Sequence, residues 1–271
     1  MLKQRIISTI VLVALVVLSV FFNPIFIIII SLFTLGGLYE FFSLIEKKGV
    51  PAYKYSGAVV GLIIPISIFF KFELTKGWEL LFIVIGLISL FVLQIARKDN
   101  EKAVFSISTT IFGILYVSWF FSFIVKIKLL PCGNALLGAM IFITKASDIG
   151  AYLVGTKFGK HALLSWISPK KSFEGAVGGV FFGILAALAS ASFLPNIDAF
   201  SNIHLIFIGF SLSIIGQLGD LSESLIKRDC LAKDSSSIFP GIGGALDIID
   251  SLLFTAPAFY FYYMYRVLSV S

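Results

Sequence analysis

Nine apolar runs, at about residues 6–22, 25–45, 56–70, 79–96, 103–125, 133–154, 174–194, 203–220 and 247–268, dominate this chain. Each approaches the length that crosses about 30 Å of bilayer hydrocarbon. Inside hydrocarbon a segment must satisfy its own backbone N–H and C=O groups, so runs of this length fold as helices. The pattern predicts an all-α polytopic membrane protein of about nine transmembrane helices. Composition agrees: 58% of the residues are hydrophobic and 13% charged, against roughly a quarter charged in soluble domains.

The polar intervals set the expected orientation. Lys and Arg at the N-terminus and in alternate loops number 15, against 5 in the remaining loops and at the C-terminus, with Lys145 inside the sixth run. Positive loops stay in the cytoplasm, so the N-terminus is expected there and the C-terminus outside. Both long polar loops, 155–173 and 221–246, then face the cytoplasm, where nucleoside triphosphates are. Lys3 and Arg5 ahead of the first run look like a signal peptide, but no small-x-small cleavage site follows; a retained first span is expected. The net charge of +6 is scattered among short loops and does not read as a nucleic-acid footprint. Cys132 and Cys230 lack disulfide or metal-ligand spacing.

Polar residues within the runs concentrate after about residue 130. Residues 1–130 are therefore read as a transmembrane scaffold half and 131–271 as a catalytic half of one membrane unit.

Four groups could carry chemistry. Asp148 in the sixth run is costly unless paired or facing a wet cavity; Lys145 and Tyr152 share its helical face. An internal Lys–Asp pair and an interfacial tyrosine are the plainer readings, and substrate or cation contact the sharper one. Ser168-Pro169-Lys170-Lys171-Ser172-Phe173-Glu174-Gly175 opens the seventh run; free N–H groups at a helix start beside two ammonium groups suit phosphate. Asp220 and Glu223 close the eighth run on one helical face. The last group is the interval to the ninth run, with Lys227, Arg228, Lys233 and Asp234, the turn Pro240-Gly241-Ile242-Gly243-Gly244, and Asp247 and Asp250 three residues apart. Carboxylates from the eighth and ninth runs converging at one membrane rim could hold one or two Mg²⁺, an ion that takes few protein ligands and completes its shell with water and phosphate.

Together these residues resemble the phosphatidate cytidylyltransferases, or CDP-diacylglycerol synthases. The run Ser224-x-Ile226-Lys227-Arg228-x4-Lys233-Asp234-x-Ser236-x2-Phe239-Pro240-x2-Gly243-Gly244-x2-Asp247-x2-Asp250 is similar to the family signature. The 168–175 run is similar to its Ser-Pro-Lys-Lys-Ser-x-Glu-Gly element, and Asp148 with Ala151-Tyr152 to its Asp-x-x-Ala-Tyr helix. Three positions depart from the pattern: Ile242 stands at the usual His, Ile248 at the usual Arg and Lys145 at a frequent Trp.

The resemblance implies that CTP and phosphatidic acid give CDP-diacylglycerol and pyrophosphate at the cytoplasmic face of a bacterial inner membrane, in phospholipid biosynthesis. It implies Mg²⁺ on Asp220 and Asp247, with a second cation left open. Catalytic roles fall to Asp220, Asp247, Asp250, Lys227 and Arg228. Substrate contacts are implied for Asp148, Tyr152, Ser168, Lys170, Lys171, Ser172, Glu174, Glu223, Lys233, Asp234, Pro240, Gly241, Gly243 and Gly244. Partners are the two substrates and the bilayer, with a homodimer left open and no nucleic acid. A CTP-dependent lipid-alcohol kinase is the alternative enzyme. An ion-coupled transporter using Lys145 and Asp148 is the alternative of another class.

Overall fold

The computed structural model describes residues 14–16, 18–70, 78–97, 101–195, 200–236, 238–239 and 243–268. Helices follow the apolar runs: α1 (Asn23–Lys47), α2 (Lys54–Phe69), α3 (Trp78–Ala96), α4 (Ala103–Lys128), α5 (Gly133–Phe158), α6 (Phe173–Ser190), α7 (Asn202–Asp229) and α8 (Ala245–Leu268). The first run, 6–22, lies mostly outside the described residues; 14–16 and 18–21 are helical. Among the described residues α1, α4, α5, α6 and α7 are long and apolar enough to cross a membrane, while α2 and the 84–96 part of α3 are apolar but shorter. Among the described residues the fold is all-α apart from one hairpin, and its long apolar helices mark an integral membrane protein.

Two expected loops are partly structured. Interval 155–173 holds an antiparallel hairpin, β1 (Ala162–Leu164) and β2 (Ser168–Ser172), with Ala162 opposite Ser172 and Leu164 opposite Ser168. Interval 221–246 begins as helix, because α7 continues to Asp229. Lys227 and Arg228 therefore occupy its last turn, where cations complement exposed carbonyls and the helix dipole.

The chain divides into two compact units: Met1–Lys126 with Lys227–Ile249, and Ile127–Ile226 with Asp250–Ser271. In the first, aromatic and small residues interleave. Phe41 and Phe42 of α1 are fully buried, and the Phe41 ring lies 5.8 Å from Phe112 and 6.2 Å from Tyr116. A Cβ at Gly57 of α2 would stand 2.7 Å from the Phe42 ring, and one at Gly113 of α4 equally close to Phe41 and Phe42. Lipid-embedded helices associate through such close packing, since apolar contact is no better between helices than with lipid. In mid-α4 the backbone winds as a π-helix over Ile114–Trp119, and the Ser118 hydroxyl donates to the Gly61 carbonyl of α2.

The second unit packs α5 against α6 through glycines. A Cβ at Gly150 would lie 2.5 Å from Phe182, and one at Gly178 would lie 2.5 Å from Val154. The Gln217 amide of α7 donates to the Ala176 carbonyl of α6 at 3.2 Å. At Gly219 of α7 a Cβ would stand 2.6 Å from the Asp250 carbonyl oxygen of α8.

Candidate active site

That approach of α7 to α8 brings carboxylates together. One oxygen each from Asp220, Glu223 and Asp250 lies within 4.8 Å of the others. Asp220 and Glu223 are one helical turn apart on α7, so both face α8. Glu223 is 1% and Asp250 8% exposed. Three carboxylates, two of them buried, repel one another unless a cation or proton compensates. The donor set is all oxygen, which suits a hard divalent cation. These residues therefore fit a metal such as Mg²⁺.

Two lysines of the same unit stand beside this group. Lys171, at the end of β2, pairs with Asp220 at 2.6 Å. Lys145 donates to Asp148 at 3.1 Å and to the Ser251 hydroxyl at 3.0 Å, and that hydroxyl lies 3.2 Å from Asp148. Asp220 and Asp250 also act electrostatically on the Lys145 ammonium. Asp148 thus has the internal Lys–Asp pairing that its spacing suggested. Tyr152 is exposed on α5.

The hairpin places the remaining residues of that motif. Ser168 pairs in register with Leu164, and Lys170 is exposed on β2. Ser172 caps α6 by accepting from the Gly175 N–H at 3.1 Å, the usual role of a serine at a helix start. Glu174 is engaged within the protein: its carboxylate takes the backbone N–H groups of Lys160 (3.1 Å) and His161 (3.2 Å) and meets His161 Nδ1 at 2.6 Å. It clasps the start of the hairpin to the start of α6.

In the other unit, Lys227 and Asp247 form a largely buried pair at 2.6 Å, with side chains 12% and 11% exposed. The second Asp247 oxygen accepts from Gly244 N (2.7 Å), Ser235 N (3.1 Å) and the Ser235 hydroxyl (2.7 Å). Asp247 thus meets an ammonium and three further donors within its own unit, and within the other unit Glu223 and Asp250 gather with Asp220. Gly243 has φ +125°, a region that strains any side chain, and exchanges paired backbone hydrogen bonds with Phe239. A Cβ at Gly244 would collide with Ser235 and with both Glu40 carboxylate oxygens. Arg228 reaches the Ala232 carbonyl at 3.4 Å; Lys233 and Asp234 are exposed. Pro240 and Gly241 lie outside the described residues. Cys230 is buried and burial pushes its thiol up, which disfavours the thiolate.

Glu40 escaped the sequence reading. A lone carboxylate within the apolar run 25–45 carries the same signal that singled out Asp148.

The model of the cytidylyltransferase family matches residues 3–266. A phosphatidate cytidylyltransferase from Synechocystis sp. is 32% identical over 253 residues, covering 83% of this chain and 84% of the relative. One from Aquifex aeolicus is 38% identical over 67% of this chain and 64% of its own. For one from Mycobacterium bovis, 38% identity extends over 56% of this chain and about half, 49%, of the relative. The chain belongs to the cytidylyltransferase family.

Proposed function

We propose that this protein transfers the cytidylyl group of CTP to phosphatidic acid, giving CDP-diacylglycerol and pyrophosphate. The observation that carries this reading is the carboxylate group Asp220, Glu223 and Asp250, the last two buried, flanked by Lys171, in a chain matched to the family along nearly its whole length. The names of the relatives support phosphatidate as the acceptor.

The reaction needs no general base, because a lipid phosphate oxygen already carries negative charge. It attacks the α-phosphorus of CTP in line; the bond from that phosphorus to the bridging oxygen breaks, and pyrophosphate leaves with the electron pair. The protein's work is to position two anions and balance their charge. Asp220, Glu223 and Asp250 would hold Mg²⁺, which when bound neutralises charge on the triphosphate. Lys171 has Asp220 as its present partner and can turn to a phosphate. Lys170, exposed on the same strand, offers a second ammonium. Lys145 keeps Asp148 compensated beside the carboxylate group. Lys227 and Arg228 are proposed phosphate ligands, and Asp247 is proposed to hold Lys227 in place. The 15-to-5 distribution of basic residues supports a cytoplasmic site in an inner membrane.

Purified protein given α-labelled CTP, phosphatidic acid and Mg²⁺ tests the reading. Label in the lipid together with released pyrophosphate is expected. Release of CDP with γ-phosphate on an added lipid alcohol would replace it by the kinase.

A further inference from the structure

Glu40 has no part in the chemistry above, yet it accepts from four donors, as many as Asp247 does. It sits in α1, 1% exposed. Its Oε1 accepts from the Ser236 hydroxyl (2.6 Å) and the Ala245 N–H (2.9 Å), and its Oε2 from the Ser235 hydroxyl (2.9 Å) and the Leu246 N–H (2.8 Å). Ala245 and Leu246 are the first residues of α8, whose N–H groups have no partner within the helix. Glu40 is therefore a helix cap supplied by another helix.

The local backbone is shaped for that contact. A Cβ on Gly36, one turn before Glu40, would stand 2.9 Å from the Ala245 Cβ, so α1 touches the start of α8. The absence of a side chain at Gly244 leaves room for the Glu40 oxygens. Phe239 stacks on Phe33 of α1 with ring centroids 6.1 Å apart.

Glu40 also reaches Asp247 through one hydroxyl. Ser235 Oγ is 2.9 Å from Glu40 and 2.7 Å from Asp247, and one proton serves both carboxylates. The two backbone N–H donors on Glu40 require acceptor oxygens, so a charged carboxylate suits all four of its contacts.

We propose that Glu40 is a positioning residue for nucleotidyl transfer: by holding Ser235, Ser236 and the first turn of α8 it fixes the orientation of Asp247, and with it Lys227. This rests on the reaction proposed above.

The test uses Glu40→Gln and Glu40→Asp in detergent, with two readouts. Backbone hydrogen exchange at residues 245 and 246 reports the hold itself. Pyrophosphate release gives kcat and KM. In Glu40→Gln, whose amide NH₂ opposes at least one donor, exchange at those amides should rise and kcat fall, each by about tenfold or more, with KM for phosphatidate little changed. Glu40→Asp, keeping the charge, should recover part of both. Unchanged exchange in Glu40→Gln overturns the hold, and faster exchange with wild-type kcat overturns the positioning role. A wild-type protein releasing no pyrophosphate, but whose Glu40→Gln form still loses protection, overturns the transfer reading and leaves the hold standing. If Glu40→Gln does not fold, Ser236→Ala removes one donor and should show smaller changes in the same two readouts; wild-type values in both overturn the proposal.

Discussion

Gly219 lies against the backbone of Asp250: a Cβ there would sit 2.6 Å from the Asp250 carbonyl oxygen. The neighbour of Gly219 is Asp220, so this glycine sets the separation of two carboxylates on different helices. Gly219→Ala gains about 1 kcal/mol of helix propensity, but the obstacle is rigid backbone, and relieving it costs about 1–3 kcal/mol. The helices must part. Gly219→Ala should lose at least about tenfold in transfer rate and need more Mg²⁺ for half-maximal rate; a Mg²⁺ titration of activity checks it.

Lys145 is a fixed cation beside three carboxylates, Asp148, Asp220 and Asp250. Lys145→Met removes the charge and keeps the volume. Without Mg²⁺ the variant should unfold at a lower temperature than wild type, since Asp148 loses its partner. Added Mg²⁺ should then stabilise it more than wild type, because the group has become more negative. Thermal unfolding in detergent with and without Mg²⁺ measures both.

Lys227 and Asp247 offer a stability test independent of turnover. Removing one partner from a largely buried pair costs about 2–4 kcal/mol, more than removing both. Lys227→Met and Asp247→Asn should each destabilise strongly, and the double variant by less than their sum. A double-mutant cycle on unfolding free energy reads a coupling of about 1–3 kcal/mol.

Glu174 clasps the hairpin through His161 and the Lys160 and His161 amides. Glu174→Ala should free that segment, and limited trypsin digestion should cut after Lys160 several times faster, by the opening equilibrium such local contacts govern.

Much of this was legible in residue pattern. Apolar runs predict the helices because, in lipid, length and hydropathy leave few alternatives. The Lys145–Asp148 pair follows from three-residue spacing, and the start of α6 from the Ser172 cap. Other features depend on partners distant in sequence. Glu40 meets Ser235 and Leu246 across some 200 positions, so only the oddity of a carboxylate in an apolar run pointed to it. Glu223 and Asp250 gather around Asp220 because Gly219 lets two helices touch, a tertiary fact with no local periodicity. Strands of three and five residues in 155–173 were too short for alternation to show. The extension of α7 to Asp229 carries charges that resemble a loop, and helix dipole and packing prevail there over composition.

The proposed transfer requires that Asp220, Glu223 and Asp250 together hold its cation. Its most direct measurement is transfer of α-labelled cytidylyl to phosphatidic acid across a Mg²⁺ series, in wild type and in Asp220→Asn, Glu223→Gln and Asp250→Asn. Each variant should need at least about tenfold more Mg²⁺ or lose transfer while remaining folded. Mg²⁺ titrations superimposable on wild type in all three would contradict it.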